Sequence, residues 1–132
     1  MTLLDTHIFL WWLSGKTKLT AAEHEALDVL SSQNRLCISA ITVWEIEILD
    51  RKGKISLNPD FVSWIEKIIN IPGFEILPIT VQHVVTQKNL PASFHFDPAD
   101  RLLSATSLIT GYPLATKDQK IIDSETCKIW SL

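Results

Sequence analysis

Short runs of consecutive apolar residues recur along the chain, each too brief for a helix and lacking the alternation of a strand with one wet face. They are Thr2-Leu3-Leu4-Asp5, Leu36-Cys37-Ile38, Phe74-Glu75-Ile76-Leu77, Pro113-Leu114-Ala115-Thr116 and Cys127-Lys128-Ile129-Trp130. Runs of this kind suit strands covered on both faces. Between them lie stretches with helical spacing, approximately His7–Leu13, Thr20–Ser32, Ala40–Arg51, Pro59–Asn70, Val81–Lys88 and Pro98–Thr110. Thr20 with Glu23, Ser39 and Asn58 are placed to act as N-caps. Strands separated by helices imply parallel pairing through right-handed crossovers, and so an α/β fold: a three-layer sandwich around a central parallel sheet. In such sheets ligands bind outside the carboxyl ends of the strands, so the residues just after each run are the first candidates for chemistry.

Composition narrows the class without changing this picture. With 132 residues, 46% hydrophobic and 20% charged, the chain has the material for one core, and residues 1–132 are expected to form a single domain. Its longest apolar run, Ile8 to Leu13, is far below the ~18–20 residues of a membrane span, and no basic signal-peptide head precedes it. A cytoplasmic protein without a membrane partner is the expectation. Cys37 and Cys127 read as small core residues rather than a disulfide. A net charge of −3 does not fit a general nucleic-acid binder.

Four carboxylates follow or flank the predicted strands. Asp5 ends the first run and precedes an almost wholly apolar helix, a costly place for an unpaired charge; capping that helix is the simpler alternative. Glu45 has Ile41, Trp44, Ile48 and Leu49 as its helical neighbours, so it points where a core should be, while Glu47 and Asp50 fall on the polar side. A buried ion pair is the competing account. In Asp97-Pro98-Ala99-Asp100-Arg101, Asp97 is placed as N-cap and Asp100 in the first turn, where the helix dipole favours an acid whatever its function. Asp118, in Thr116-Lys117-Asp118, follows the fourth run and could equally close a turn. What lifts these four above their separate alternatives is that the fold would bring all of them to one crevice. Carboxylates gathered there repel one another unless a cation neutralises them, and all-oxygen donors suit magnesium or manganese rather than zinc. Setting the four aside turns the net −3 into a formal +1, which no longer repels a polyanion.

Leu3-Leu4-Asp5-Thr6-His7, Ser39-Ala40-Ile41-Thr42-Val43-Trp44-Glu45, the stretch from Leu90-Pro91 through His95-Phe96-Asp97-Pro98-Ala99-Asp100-Arg101-Leu102-Leu103, and Thr116-Lys117-Asp118, taken in order, resemble the PIN-domain family. More closely, they are similar to VapC-type toxins of prokaryotic toxin–antitoxin pairs. The resemblance implies a sheet of order 3-2-1-4-5 and cleavage of RNA dependent on Mg2+ or Mn2+, leaving a 5′-phosphate and a 3′-hydroxyl. It also implies inhibition by a cognate antitoxin protein. By motif it assigns the catalytic and metal-holding roles to Asp5, Glu45, Asp100 and Asp118, with Thr116 in support. Asp97 is read as a cap.

Other features carry less. Arg51, Lys52 and Lys54 form a basic loop that could meet RNA phosphates or simply be solvated. His7, His24, His83 and His95 share no metal-ligand spacing, and Trp11, Trp12, Trp44 and Trp64 are expected in the core unless they anchor an interface. The apolar helix His7–Leu13 has more apolar surface than one core face uses, so a homodimer contact or an antitoxin is expected over it. An aspartyl-phosphate enzyme is disfavoured, because His7 stands where a phosphatase needs a second Asp and no acid follows Leu77. A housekeeping nuclease without an antitoxin, or an inactive binding module, are the remaining alternatives.

Overall fold

Leu3 and Leu4 are neighbours in sequence and both fully buried, yet they belong to different hydrophobic clusters on opposite faces of the sheet. The same division sends Leu36 and Ile38 to one face and Cys37 to the other, and splits Leu114 from Ala115. Side chains alternate across a strand, so a sheet packed on both faces needs apolar residues at every position. That is the physical origin of the unalternating runs.

The structure, a computed structural model, describes residues 1–15, 18–95 and 97–132; Phe96 of the third motif lies outside the described residues. The strands are β1 (Thr2–Leu4), β2 (Leu36–Ser39), β3 (Phe74–Leu77) and β4 (Leu114–Ala115). The helices are α1 (Thr6–Ser14), α2 (Ala21–Ser32), α3 (Ala40–Arg51), α4 (Phe61–Ile68), α5 (Val81–Lys88), α6 (Pro98–Thr110) and α7 (Gln119–Ser124). All strand pairs are parallel, in the order β3-β2-β1-β4. One face holds Leu4, Ile8, Phe9, Leu27, Ile38, Ile46 and Ile68; the other holds Leu3, Cys37, Leu103, Leu114 and Ile121. Each such Leu or Ile, fully buried, contributes about 1.5–3 kcal/mol. Both cysteines are free, and burial pushes the Cys37 thiol up to about 12.

The fifth expected strand is reduced to one parallel bridge, Leu114 to Ile129, held by Leu114 N–H to Lys128 O and Trp130 N–H to Leu114 O. The order 3-2-1-4-5 therefore survives with its last member shortened to that bridge. The short α7 has no counterpart in the sequence pattern, because six residues are too few to display a period. At α4 the cap is Asp60, whose carboxylate accepts from Ser63 N–H, rather than Asn58. Thr20 and Ser39 cap as expected. At the end of α6, Gly111 takes φ +75°, the left-handed turn that redirects the chain into β4. Among the described residues no helix is long and apolar enough to cross a membrane.

Candidate active site

The parallel sheet delivers its strand ends to one edge. Asp5 directly follows β1, and its extended backbone lets it cap α1 by accepting Thr6 N–H at 2.7 Å. The cap does not exhaust it: the second oxygen accepts from Thr116 Oγ1 at 2.6 Å and faces His7 Nδ1 at 3.4 Å. At 4% exposure Asp5 is buried, so these bonds replace lost water. Glu45, in the second turn of α3, accepts from Thr6 Oγ1 at 2.6 Å. Asp100, in the first turn of α6, meets His95 Nε2 at 2.7 Å. Asp118 caps α7 through Lys120 N–H, and its own N–H is held by Thr116 Oγ1.

Asp5, Glu45, Asp100 and Asp118 line one crevice of about 280 Å³, together with Thr6, His7 and Asp97. Asp97 caps α6 by accepting Asp100 N–H, which fixes the backbone carrying Asp100. Thr116 lies behind the crevice and joins Asp5 to the Asp118 turn. Among the described residues, no Lys or Arg pairs with Glu45 or Asp100. Burial is the first cause holding Glu45 up to about 7, with Asp5, Asp100 and Asp97 adding repulsion; the Thr6 hydroxyl offsets part of this. Burial likewise raises Asp100 to about 6, against the His95 hydrogen bond, with Asp97, Asp5 and Asp118 adding to the rise.

Three residues beyond the four acids and Thr116 join the site. Thr6 bridges to Glu45. His7 accepts Lys117 N–H on Nε2 at 3.0 Å, so its proton lies on Nδ1, toward Asp5. His95, Asp100 and Asp118 bring ligand atoms within 4.8 Å of one another. The only sequence signal for His7 and His95 is their position beside motif acids. Of the basic loop, Arg51 pairs with Glu47, whereas Lys52 and Lys54 line a cleft next to the crevice. Trp44 is half-exposed, contrary to a core role, while Ile41 and Ile46 are the apolar residues that α3 buries.

The PIN domain family matches residues 2–124. The chain belongs to the PIN-domain family. This PIN domain is 32% identical over 119 residues to Ribonuclease VapC22 of Mycobacterium tuberculosis (strain ATCC 25618 / H37Rv), covering 90% of the chain and 88% of that relative. Its fold is similar to that in the structure of VapBC2 from Rickettsia felis bound to a DNA fragment from its promoter, with TM-score 0.72, 15% identity and coverage of 98% and 96%. DNA-bound VapBC from Salmonella typhimurium gives TM-score 0.71, 21% identity and 98% coverage of each chain. FitAcB from Neisseria gonorrhoeae gives TM-score 0.71, 21% identity and coverage of 99% and 97%.

Proposed function

We propose that this PIN domain, acting as one unit over residues 1–132, is a cytoplasmic metal-dependent endoribonuclease and the toxin of a type II toxin–antitoxin pair. The observation that carries the reading is the convergence of Asp5, Glu45, Asp100 and Asp118 on one crevice without a basic partner for Glu45 or Asp100 among the described residues. The similarity to a ribonuclease named VapC22 supports the reaction class, and the similarity to VapBC structures supports the partner.

The donor set fits a hard divalent cation. Four carboxylates supply oxygen ligands, and burial together with repulsion among the acids raises Glu45 and Asp100, a cost that Mg2+ or Mn2+ bound between them would offset. Asp5, Glu45 and Asp100 would hold the ion directly or through water, with Asp118 holding a second ion or the attacking water. The metal supplies an acidified water near neutral pH and offsets charge on the phosphoryl oxygens. Thr116 and His7 fix the orientation of Asp5, Thr6 that of Glu45, and His95 that of Asp100. In the reaction the water oxygen bonds to phosphorus, its proton leaves to a crevice carboxylate or solvent, and the bond to the 3′-oxygen breaks. That oxygen takes up a proton, leaving a 5′-phosphate and a 3′-hydroxyl.

For the antitoxin, Leu10, Trp11, Leu13, Ile55, Leu57 and Trp64 line an apolar groove of about 400 Å³ beside α1. Leu10 also borders the acidic crevice. A partner seated there could present an Arg or Lys to the carboxylates and compete with metal. Self-association into a homodimer is compatible with it. The test is cleavage of RNA by purified protein with Mg2+ or Mn2+, with chelator, and with the neighbouring small gene product co-expressed. Cleavage by metal-free protein in excess chelator would overturn the mechanism. A complex that cuts as fast as free protein would favour a housekeeping nuclease instead.

A further inference from the structure

We propose that the cleft beside the acidic crevice is a subsite for the nucleotide flanking the scissile phosphate, with Trp44 as its stacking platform and Lys52 and Lys54 as its phosphate contacts. The proposal rests on the ribonuclease reading and names where that enzyme holds its substrate.

The first observation is the indole. Trp11, Trp12, Trp64 and Trp130 all pack against the main hydrophobic cluster, whereas Trp44 is 49% exposed. A large aromatic left half in water on a rigid helix suits a surface that covers another flat group. The second is placement. Residues four apart on a helix share a stripe, so Trp44 and Ile48 form one stripe of α3 that leads to its C-cap Lys52, alongside Glu45 and Leu49. The cleft of about 320 Å³ under that first stripe is walled by Pro98 and Ala99 at the start of α6 and shares Glu45, Leu49 and Asp97 with the acidic crevice. A strand whose phosphate lies over the carboxylates therefore passes directly into it.

The third observation is charge. Arg51, the nearest guanidinium in sequence, is engaged by Glu47, but Lys52 and Lys54 are exposed and, among the described residues, form no ion pair. Lys52 caps α3 about two turns beyond Glu45, and Lys54 follows it in sequence. An uncharged base tolerates the acidic end, while the two ammonium groups meet the next phosphate. Stacking on an aromatic face is tolerant of base identity because every base has a π-face, so the subsite gives grip and register rather than strict sequence choice.

The test is binding of a short fluorescein-labelled single-stranded RNA of random sequence, with Ca2+ in place of Mg2+ so that affinity is read without turnover. Anisotropy is followed over a range of salt concentrations, with light scattering for oligomeric state and melting curves for folding. Trp44→Ala should weaken binding about 5- to 100-fold while the protein stays folded, and Trp44→Phe should keep most of the affinity. Lys52→Ala with Lys54→Ala should lower the slope of log affinity against log salt by about 0.7 for each phosphate no longer neutralised. Equal affinity in Trp44→Ala and wild type would overturn the subsite, as would wild type with no measurable affinity. So would a Trp44→Ala variant that turns a dimer into monomers with unchanged affinity per protomer, since the indole would then belong to a contact between copies. Wild type that binds RNA through Trp44 but cuts none in Mg2+ or Mn2+ would leave the cleft standing and remove the ribonuclease reading.

Discussion

Glu45 and Glu47 stand two residues apart in α3, and the fold moves them in opposite directions. Burial, with repulsion from Asp5, Asp100 and Asp97, raises Glu45 to about 7; the hydrogen bond and charge of Arg51 hold Glu47 below the usual glutamate range. The same contrast sets Glu23 and Asp60 against Asp100. Glu23, bonded to the Thr20 backbone N–H and to Lys117, is lowered, and so is Asp60 under the Ser63 N–H, whereas Asp100 rises to about 6. The surface acids Glu23, Glu47 and Asp60 are completed by partners within the chain. Glu45 meets a hydroxyl and Asp100 an imidazole, with neighbouring acids around both, which leaves them to be completed by something that binds.

The sharpest way to break this comparison is to remove the crevice charges. Asp5→Asn, Glu45→Gln and Asp100→Asn should each lower RNA cleavage by at least about a hundredfold with the circular dichroism spectrum unchanged, since even outer partners of metal ligands are worth about 10–100-fold. Full activity in any one would strike it from the site. Asp118→Asn should lose less than these three; an equal loss in all four would refute that ranking.

His95 comes next. If it fixes Asp100 for the metal, His95→Gln should weaken Mn2+ binding about 10–100-fold, read from the signal of free Mn2+ by electron paramagnetic resonance. Unaltered affinity would reduce His95 to a bystander.

The pH dependence sharpens the contrast without any substrate. Without metal, Glu45 has a folded pKa of about 7 against an ordinary 4.5, and Asp100 about 6 against 3.8. Within those windows the native state binds more protons than the unfolded chain, so these groups make stability fall as pH rises from about 4 to about 7. Melting temperatures of Glu45→Gln should decline less steeply than those of wild type over that range, and saturating Mn2+ at neutral pH should restore the loss. Identical slopes in the two proteins would contradict the electrostatic account.

Asp97→Ala is expected to cost about 0.5–2 kcal/mol as a lost cap, with metal-dependent turnover retained in folded protein. An equally stable but dead variant would make Asp97 part of the chemistry. The smallest effect should come from Glu47→Gln, whose cleavage rate should match wild type; a large loss there would erase the distinction from Glu45.

The parts of the fold that could be read from the sequence are those set by local pattern. The unalternating runs at Leu3-Leu4 and Leu36–Ile38 can be satisfied only between two layers, and Thr20, Ser39 and Asp97 carry their capping chemistry in their own side chains. The four acids were legible because each sits a fixed step from a strand or helix end, and parallel strands bring those ends to one edge. The short α7, the single bridge at Ile129 and the cap at Asp60 were not, because a few residues of pairing or helix are decided by neighbours in space.

The local pattern by itself thus determined the layers and which carboxylates lie at the carboxyl edge, while the strand order was implied by the resemblance of the motifs to the PIN-domain family. The sequence could not determine which polar groups complete which. That Thr116 serves Asp5 across 111 positions, that Thr6 reaches Glu45, and that His95 rather than a cation of the chain meets Asp100 depend on distances of a few ångströms between separate elements. The exposure of Trp44 was decided in the same way. Helical periodicity places an indole on a face, but only the packing of α3 against α6 settles whether that face is covered, and here it is left open beside the crevice.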